Sequence, residues 1–382
     1  MRITVLCADV SQNGLGRSLV LAEVLSLDHE VEIVGTRFGG GVWEPARGAA
    51  VPIWSVPGGY WPGYAVSAAR LLRRIRGDLV YACKPLLGSL GVALLHRRLH
   101  GCPVALDVDD DELAFRPSPS LRRPRSLVSA LGHPDSRAWS AAAERWAGAA
   151  DAVTVASRVL QGRYGGVVVP HVRDTDRIRP RPEVAAEAKA ALGVAGRVVM
   201  FLGTPRRHKG VEDVARAMPL LRSPATFVIV GADAGDGYVR ELRERFPHIR
   251  FHPPTTLERG AFLLQAADAV VVPQRGDPAA TGQLPAKLID AMALARPVVA
   301  TAVSDIPTIL AHGRGHVVPP GDARALAAAL DAIAAHPDEA RAMGERARAW
   351  CVEHASFHSA RAVLRGVLDQ AVRRRGTLAG RR

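Results

Sequence analysis

Two stretches of the chain carry residue types suited to an anionic, hydroxyl-rich ligand. Residues 198–220 read VVMFLGTPRRHKGVEDVARAMPL: an apolar strand, a turn at Gly203 and Thr204, the bases Arg206, Arg207 and Lys209, then a helical pattern. Residues 270–303 read VVVPQRGDPAATGQLPAKLIDAMALARPVVATAV: a strand, a long loop, a helix with Lys287 and Asp290, and another strand. A glycine turn leading into a helix start points backbone N–H groups and the positive end of the helix dipole at one place, which suits a diphosphate. Lys209 offers a point charge and Arg206 or Arg207 a planar fork, and either counters charge on a departing diphosphate. The opposing reading of the same bases is a solvated basic loop. The backbone N–H groups of Gly282, Gln283 and Leu284 suit phosphate or sugar; the alternative is a flexible loop. Asp290 follows Lys287 by three positions on the predicted helix, so its carboxylate either meets hydroxyl groups or forms a surface ion pair with that lysine.

The N-terminal half holds two further constellations. Gly14-Leu15-Gly16-Arg17-Ser18 follows the first strand and opens a helix. A pair of glycines there fits a phosphate loop and a plain turn equally. Asp107, Asp109, Asp110, Asp111 and Glu112 cluster at the end of another strand. Carboxylates in that place can face a substrate, hold a hard cation, or complement a helix start. His133, His171 and His252 stand singly, without metal-site spacing. Trp139 and Trp146, seven apart, read as core on one helix.

These residues need elements to hold them. Candidate strands in the first half are 3–9, 30–36, 51–56, 78–83, 103–108, 151–156 and 166–170, with helices at 17–27, 62–76, 85–99, 136–149 and 157–163. After a polar, proline-containing linker at 171–196, the rhythm restarts with strands 197–202, 226–231, 249–252, 269–273, 297–302 and 315–318. Helices at 209–220, 236–245, 257–266, 285–294, 321–335, 337–352 and 356–375 complete it. Short apolar strands alternating with helices predict an α/β protein of two Rossmann-like, doubly wound domains facing a cleft, with ligands at the carboxyl ends of the strands. The expected division is 1–172, 173–355 and a final helix with a basic tail at 356–382. A length of 382 residues and 48% apolar content allow two such cores.

Charge and cysteines narrow the partners. Lys+Arg minus Asp+Glu is 50 − 37 = +13, which favours anionic ligands. Only 5% of residues are aromatic and no basic stretch interleaves with them, so nucleic acid is not expected. Cys7, Cys83, Cys102 and Cys351 lack metal or redox spacing, and Asp9 interrupts the N-terminal apolar run too early for a signal peptide, so a cytoplasmic setting is expected. The basic helix 62–76 and Leu121-Arg122-Arg123-Pro124-Arg125 have the composition for contact with an anionic membrane. For the helix, the competing role is to cover the sheet with a charged outer face.

The order of motifs resembles the family 4 glycosyltransferases, retaining enzymes of the GT-B fold. The segments are Gly203 through Lys209-Gly210, the strand Phe227-Val228-Ile229-Val230-Gly231, Ala267-Asp268 through Pro273, Asp290-Ala291-Met292-Ala293 and Pro297-Val298-Val299-Ala300-Thr301. Pro170-His171-Val172-Arg173-Asp174 resembles a worn form of the family's interdomain Pro-Asn-Gly-Val-Asp. The resemblance implies transfer of a sugar from a nucleotide-diphosphate sugar to a small-molecule, glycan or lipid-linked acceptor by front-face attack, with no metal and no cofactor beyond the donor. It implies that Lys209 and Arg206 stabilise the leaving group and that Asp109 faces the acceptor side. Gly14, Gly16, Gly203, Thr204, Arg207, Gly282, Gln283, Leu284 and Lys287 would line the donor, and Asp290 would hold the ribose hydroxyls. The chain departs from the pattern at several points: the family's first glutamate falls at Gly282, the second is the shorter Asp290, the loop from Pro273 to Asp290 is longer than usual, and Thr204 stands where a base commonly follows the first glycine. A catalytically silent nucleotide-sugar-binding partner protein, or a nucleotide-sugar epimerase of the same fold, therefore stays open.

Overall fold

The computed structural model describes residues 1–116 and 132–379. The chain divides into two compact units: Met1–Pro170 with Ala360–Arg382, and His171–Ser359.

The first unit is built on seven parallel strands: β1 (Arg2–Cys7), β2 (Glu30–Arg37), β3 (Ile53–Pro57), β4 (Leu79–Cys83), β5 (Val104–Val108), β6 (Ala152–Val155) and β7 (Val167–Val168). Their order is β3-β2-β1-β4-β5-β6-β7, so the direction of winding reverses between β1 and β4. β4 and β5 are buried along their whole length, as expected of strands covered on both faces. The helix Tyr64–Arg74 turns Tyr64, Ser67 and Leu71 inward, and Leu71 packs in the core with Leu6, Val34 and Val80. The apolar stripe expected to offer a membrane face is therefore engaged with the sheet. Its Arg74 pairs with Glu32 and lies 4.1 Å over the Trp54 ring. The other proposed membrane stretch, 121–125, lies outside the described residues. The final helix, Phe357–Ala379, joins this unit through Arg361 and Arg365, which both bind Asp28, and through Arg375, whose Nε donates to Gly101 O at 2.8 Å.

The second unit repeats the plan with six parallel strands: β8 (Val198–Leu202), β9 (Thr226–Val230), β10 (Arg250–His252), β11 (Ala269–Val272), β12 (Val298–Thr301) and β13 (His316–Val318). The order is β10-β9-β8-β11-β12-β13, with the reversal between β8 and β11. Period-two alternation sends neighbouring residues to opposite cores. Val198, Met200, Val228, Val230, Val270 and Val272 pack on one face, and Val199, Phe201, Phe227, Ile229 and Val271 on the other.

Three expectations are corrected. Residues 171–196 are no linker: they belong to the second unit and contain the helix Ala185–Ala191, whose Ala188 is fully buried beside Ile178, Leu192 and Val194. A face made of alanine carries little apolar contrast, so polar neighbours mask its period. Residues 85–99 begin as a wide helical turn, Leu87–Gly91, before the helix Val92–His100. Trp146 is not core: the helix Arg137–Glu144 ends before it, and it is 42% exposed.

Candidate functional site

The winding reversal between β8 and β11 leaves the carboxyl ends of these strands flanked by loops that turn to opposite faces, where ligands bind in such sheets. Gly203 (φ +114°) follows β8 directly and Gly231 (φ +108°) follows β9. A Cβ on Gly231 would lie 2.8 Å from the Gly203 carbonyl carbon, so only glycine lets the two backbones approach. The basic turn Arg207–Lys209 closes at Gly210 (φ +64°), where a Cβ would lie 1.9 Å from Pro273 O at the end of β11. Arg275 N donates to His208 O at 2.9 Å, which ties the turn to the β11 loop a second time.

Lys209 reaches back, its Nζ donating to Thr204 O at 2.9 Å. Lys287, in the first turn of the helix Ala286–Ala293, comes in from the other segment: an added Cβ on Gly203 would meet its Cε and Nζ at 3.6 Å. Its ammonium lies 4.2 Å from the centre of the Phe201 ring, and no carboxylate among the described residues is within ion-pair range of it. Burial, then the Lys209 charge, hold its pKa well below the ordinary lysine value. Two cations and a helix N-terminus without a capping side chain thus share the glycine end of β8. Nearby on the β11 loop, Gln274 is 2% exposed, and neither end of its carboxamide has a hydrogen-bond partner. A glutamine in an apparent loop gave no signal in the sequence.

Several expected residues are engaged elsewhere. Arg206 pairs with Asp236, the N-cap of the helix Gly237–Arg245. Arg207 is 62% exposed, pairs with Glu241 on that helix and lies 4.8 Å over the Tyr238 ring. Both arginines therefore lie against that helix and its cap instead of converging with Lys209. The N–H of Gly282 donates to Pro278 O and that of Gln283 to Ala280 O, because a short helix, Pro278–Thr281, forms in the loop under an Asp277 cap. Leu284 is buried in the core. Asp290 makes no ion pair with Lys287; it takes both its oxygens to Arg173, on Nε and on Nη2 at 3.0 Å. A partner 117 residues away leaves no mark in a local pattern.

In the first unit the glycine loop and the acidic cluster also meet at carboxyl ends. Gly16 lies under the Trp43 ring, which a Cβ would meet closely at 3.3 Å, and a Cβ on Gly14 would lie 3.5 Å from Lys84 Cε. Arg17, beside them, is buried in a fork on Asp107 at 2.8 and 2.9 Å and donates to Val169 O and Pro170 O. Lys84, which follows β4 directly, puts its Nζ 3.1 Å from Asp109, 2.8 Å from Asp110 and 2.5 Å from Glu112. These three carboxylates are the set that could surround a cation, and the lysine ammonium fills that place. Burial lowers the Lys84 pKa, but the three carboxylates outweigh it and leave the ammonium well above its ordinary value. Burial pushes Asp109 up to about 7 against the pull of Lys84. The Asp109 side chain is thus a covered partner of Lys84, 5% exposed, and not an open acid. Lys84 belongs to no motif; a lone lysine straight after a fully buried strand is the one local signal it offers. His133 Nδ1 accepts from Asp135 N at 3.0 Å, and its ring lies 4.6 Å from Phe38 and 5.2 Å from Tyr60.

Comparisons with known proteins match part of the chain by sequence and nearly all of it by fold. Residues 196–336 match the family model described as glycosyl transferases group 1. The D-inositol 3-phosphate glycosyltransferase of Streptomyces griseus is 30% identical over 200 residues, 47% of this chain and 41% of that protein. Its counterpart in Corynebacterium urealyticum is 30% identical over 210 residues, 50% of this chain and 47% of that protein. The matches thus span less than half the length of these relatives. Among solved structures, Anabaena Alr3699/HepE in complex with UDP-glucose aligns with a TM-score of 0.74 at 18% identity, covering 97% of this chain and 99% of that one. Sucrose-phosphate synthase from Thermosynechococcus elongatus aligns with a TM-score of 0.72 at 18% identity, covering 97% and 98%.

Proposed function

From a glycosyl transferases group 1 domain at residues 196–336, within a chain of GT-B fold, we propose that this protein is a retaining glycosyltransferase. It moves a sugar from a nucleotide-diphosphate sugar to an acceptor hydroxyl. The observation that carries this reading is the meeting of Lys209 and Lys287 at the glycine end of β8, with the N-terminus of the helix Ala286–Ala293 beside them. Two ammonium groups and a helix dipole at one point suit a diphosphate, and the depressed pKa of Lys287 marks an unmet demand for negative charge.

In the reaction, the sugar–phosphate bond lengthens and negative charge collects on the β-phosphate. Lys209, released from Thr204 O, and Lys287 oppose that charge where it develops, which lowers the barrier more than it tightens the ground state. The acceptor oxygen attacks the same face that the phosphate leaves, and the departing phosphate oxygen takes the acceptor proton. No protein base is then required, and the two ammonium groups supply the positive charge that the diphosphate needs. Asp290 receives the ribose hydroxyls of the nucleotide, and the first unit holds the acceptor. The nucleotide in HepE is UDP; in this chain UDP is the first donor nucleotide to test.

Incubation with a panel of UDP, GDP and TDP sugars and candidate acceptors tests this by release of nucleotide diphosphate. Lys209→Ala is expected to lose at least about tenfold in turnover, or ~1.4 kcal/mol. Normal turnover by that variant removes Lys209 from the mechanism. Donor binding without turnover against every acceptor supports the silent partner protein instead, the reading motivated by Gly282 in place of the family's first glutamate.

A further inference from the structure

Where the second unit gathers cations that lack a counter-charge, the first unit gathers carboxylates. Asp135 lies in the turn before the helix Arg137–Glu144, and its carboxylate has no hydrogen-bond or ion-pair partner among the described residues. Only its backbone is engaged, the N–H donating to His133 Nδ1 and the carbonyl accepting from Arg116 Nε. Burial pushes the acid up to about 6 against the pull of Arg116. Asp9, two residues past β1, accepts from Ser11 N, Ser11 Oγ and Phe38 N, all on Oδ1, which leaves Oδ2 open. Tyr64 is 1% exposed, and its hydroxyl finds no hydrogen-bond partner. An added Cβ on Gly88 would lie 3.1 Å from that hydroxyl and 3.4 Å from Ala8 Cα, so the hydroxyl ends beside the residue that precedes Asp9. Burial, then the Asp135 charge, raise its pKa. The cations facing this place are already engaged. Lys84 is held by Asp109, Asp110 and Glu112, Arg116 pairs with Glu112, and Arg137 donates to the Leu113 and Arg116 carbonyls. Burial lowers the His133 pKa, so that ring is neutral at pH 7. It stands between Phe38 and Tyr60, and Tyr60 is 64% exposed. Ring faces beside unpaired carboxylates attract a cation on a carbon skeleton and repel an anion.

We propose that the acceptor is a hydroxylated ring bearing a protonated amine: Asp9 and Asp135 bind the ammonium group, the Tyr64 hydroxyl binds a ring hydroxyl, and Phe38, His133 and Tyr60 face the ring carbons. This rests on the transferase reading above and names the class of molecule on its receiving side. An ammonium group supplies what both carboxylates lack, and a ring hydroxyl supplies a partner for a buried phenol that otherwise has none. A phosphate-bearing acceptor would meet the same two carboxylates and, among the described residues, no cation left to receive it.

Three probes that differ in the charge on one ring test this: glucosamine, glucose and glucose 6-phosphate. Their dissociation constants are measured at pH 7 on the full chain, together with those of UDP, GDP and TDP. Glucosamine is expected to bind at least about tenfold more tightly than glucose, as a charge-assisted contact allows, and glucose 6-phosphate more weakly than glucose. Asp135→Asn, whose parent carboxylate has no contact to lose, is expected to remove most of the preference for the amine and to leave affinity for glucose within about twofold. Tyr64→Phe deletes an unpartnered hydroxyl, so it is expected to melt no lower than wild type and yet to bind glucosamine and glucose alike about three- to tenfold more weakly. Equal binding of glucosamine and glucose, tighter binding of glucose 6-phosphate, a full amine preference in Asp135→Asn, or no binding of any of the three overturns the proposal. Nucleotide diphosphate binding by the same protein then leaves the transferase reading standing. Failure of all three nucleotides to bind overturns that reading, and with it the acceptor role of this site.

Discussion

Lys287→Met is expected to stabilise the second unit and to weaken its hold on nucleotide diphosphate, two effects of opposite sign from the loss of one ammonium group. The ammonium sits against Phe201, beside Gly203 and close to the Lys209 charge, with no carboxylate among the described residues within ion-pair range. Each pKa unit by which burial and Lys209 depress it represents about 1.4 kcal/mol of strain in the charged folded form. Methionine fills nearly the same space and lacks the charge; it forfeits a cation–π contact worth roughly 0.5–1 kcal/mol. A net gain in stability is expected, and each kcal/mol of it reads as about 2–4 °C in melting temperature for a unit of this size. Because the folded lysine releases its proton more readily than the unfolded one, its penalty is full at low pH. It fades as pH rises toward the free-lysine value of about 10.4, so the two proteins should converge in stability there. A bound diphosphate reverses the balance by supplying the missing charge. Loss of that charge-assisted contact, ~1.5–3 kcal/mol, should weaken nucleotide diphosphate roughly 10- to 150-fold. Because a bound diphosphate raises the Lys287 pKa again, wild type, unlike the variant, should take up protons on binding at pH values between its free and its bound pKa, read from calorimetry in buffers of different ionisation enthalpy. A variant that is less stable, or that binds nucleotide diphosphate as tightly as wild type, refutes the reasoning.

Two more perturbations follow from the same geometry. Lys84→Met leaves Asp109, Asp110 and Glu112 facing one another, and should cost about 3–5 kcal/mol by denaturant melts. The deficit should shrink at pH 5, where Asp109, pushed up to about 7 by burial, is protonated in the folded state, and also with added Mg²⁺ or Ca²⁺ if the set closes on a cation; a deficit that is pH-independent contradicts the lysine-socket account. Gly210→Ala forces a Cβ against Pro273 O at φ +64°, so it should lower stability by at least ~1–3 kcal/mol and, by detaching the basic turn from β11, reduce turnover more than Lys209→Ala does. Unchanged melting would show that this backbone contact is not maintained in solution.

What the residues alone revealed divides by distance along the chain. The strand into Gly203, the Lys209-Gly210 closure and the helix carrying Lys287 were legible because each depends on neighbours within a few positions. Strand burial, glycine conformation and helix starts are local physics. The fates of the charged groups were not legible. Arg206 and Arg207 read as phosphate ligands because they follow a glycine turn, yet Asp236 and Glu241, about 30 positions on, are nearer to hand once β9 and its helix are in place. Asp290 finds Arg173 across 117 residues, and Lys84 finds three carboxylates that in the sequence resembled a substrate or metal cluster. A carboxylate's partner is set by which elements the sheet brings side by side, and charge type carries no address.

The return of the final helix to the first unit has a consequence for biogenesis. That unit comprises Met1–Pro170 and Ala360–Arg382, and Asp28 is held by Arg361 and Arg365. Roughly 190 residues of the intervening unit emerge from the ribosome in between, about 10–40 s at ordinary translation rates. Throughout that interval the nascent first sheet lacks its closing helix, while the second unit can finish as soon as its own stretch is out. The half of the molecule made first is thus the half completed last, and an arrested or clipped chain would strand it partly uncovered for chaperones or proteases to find.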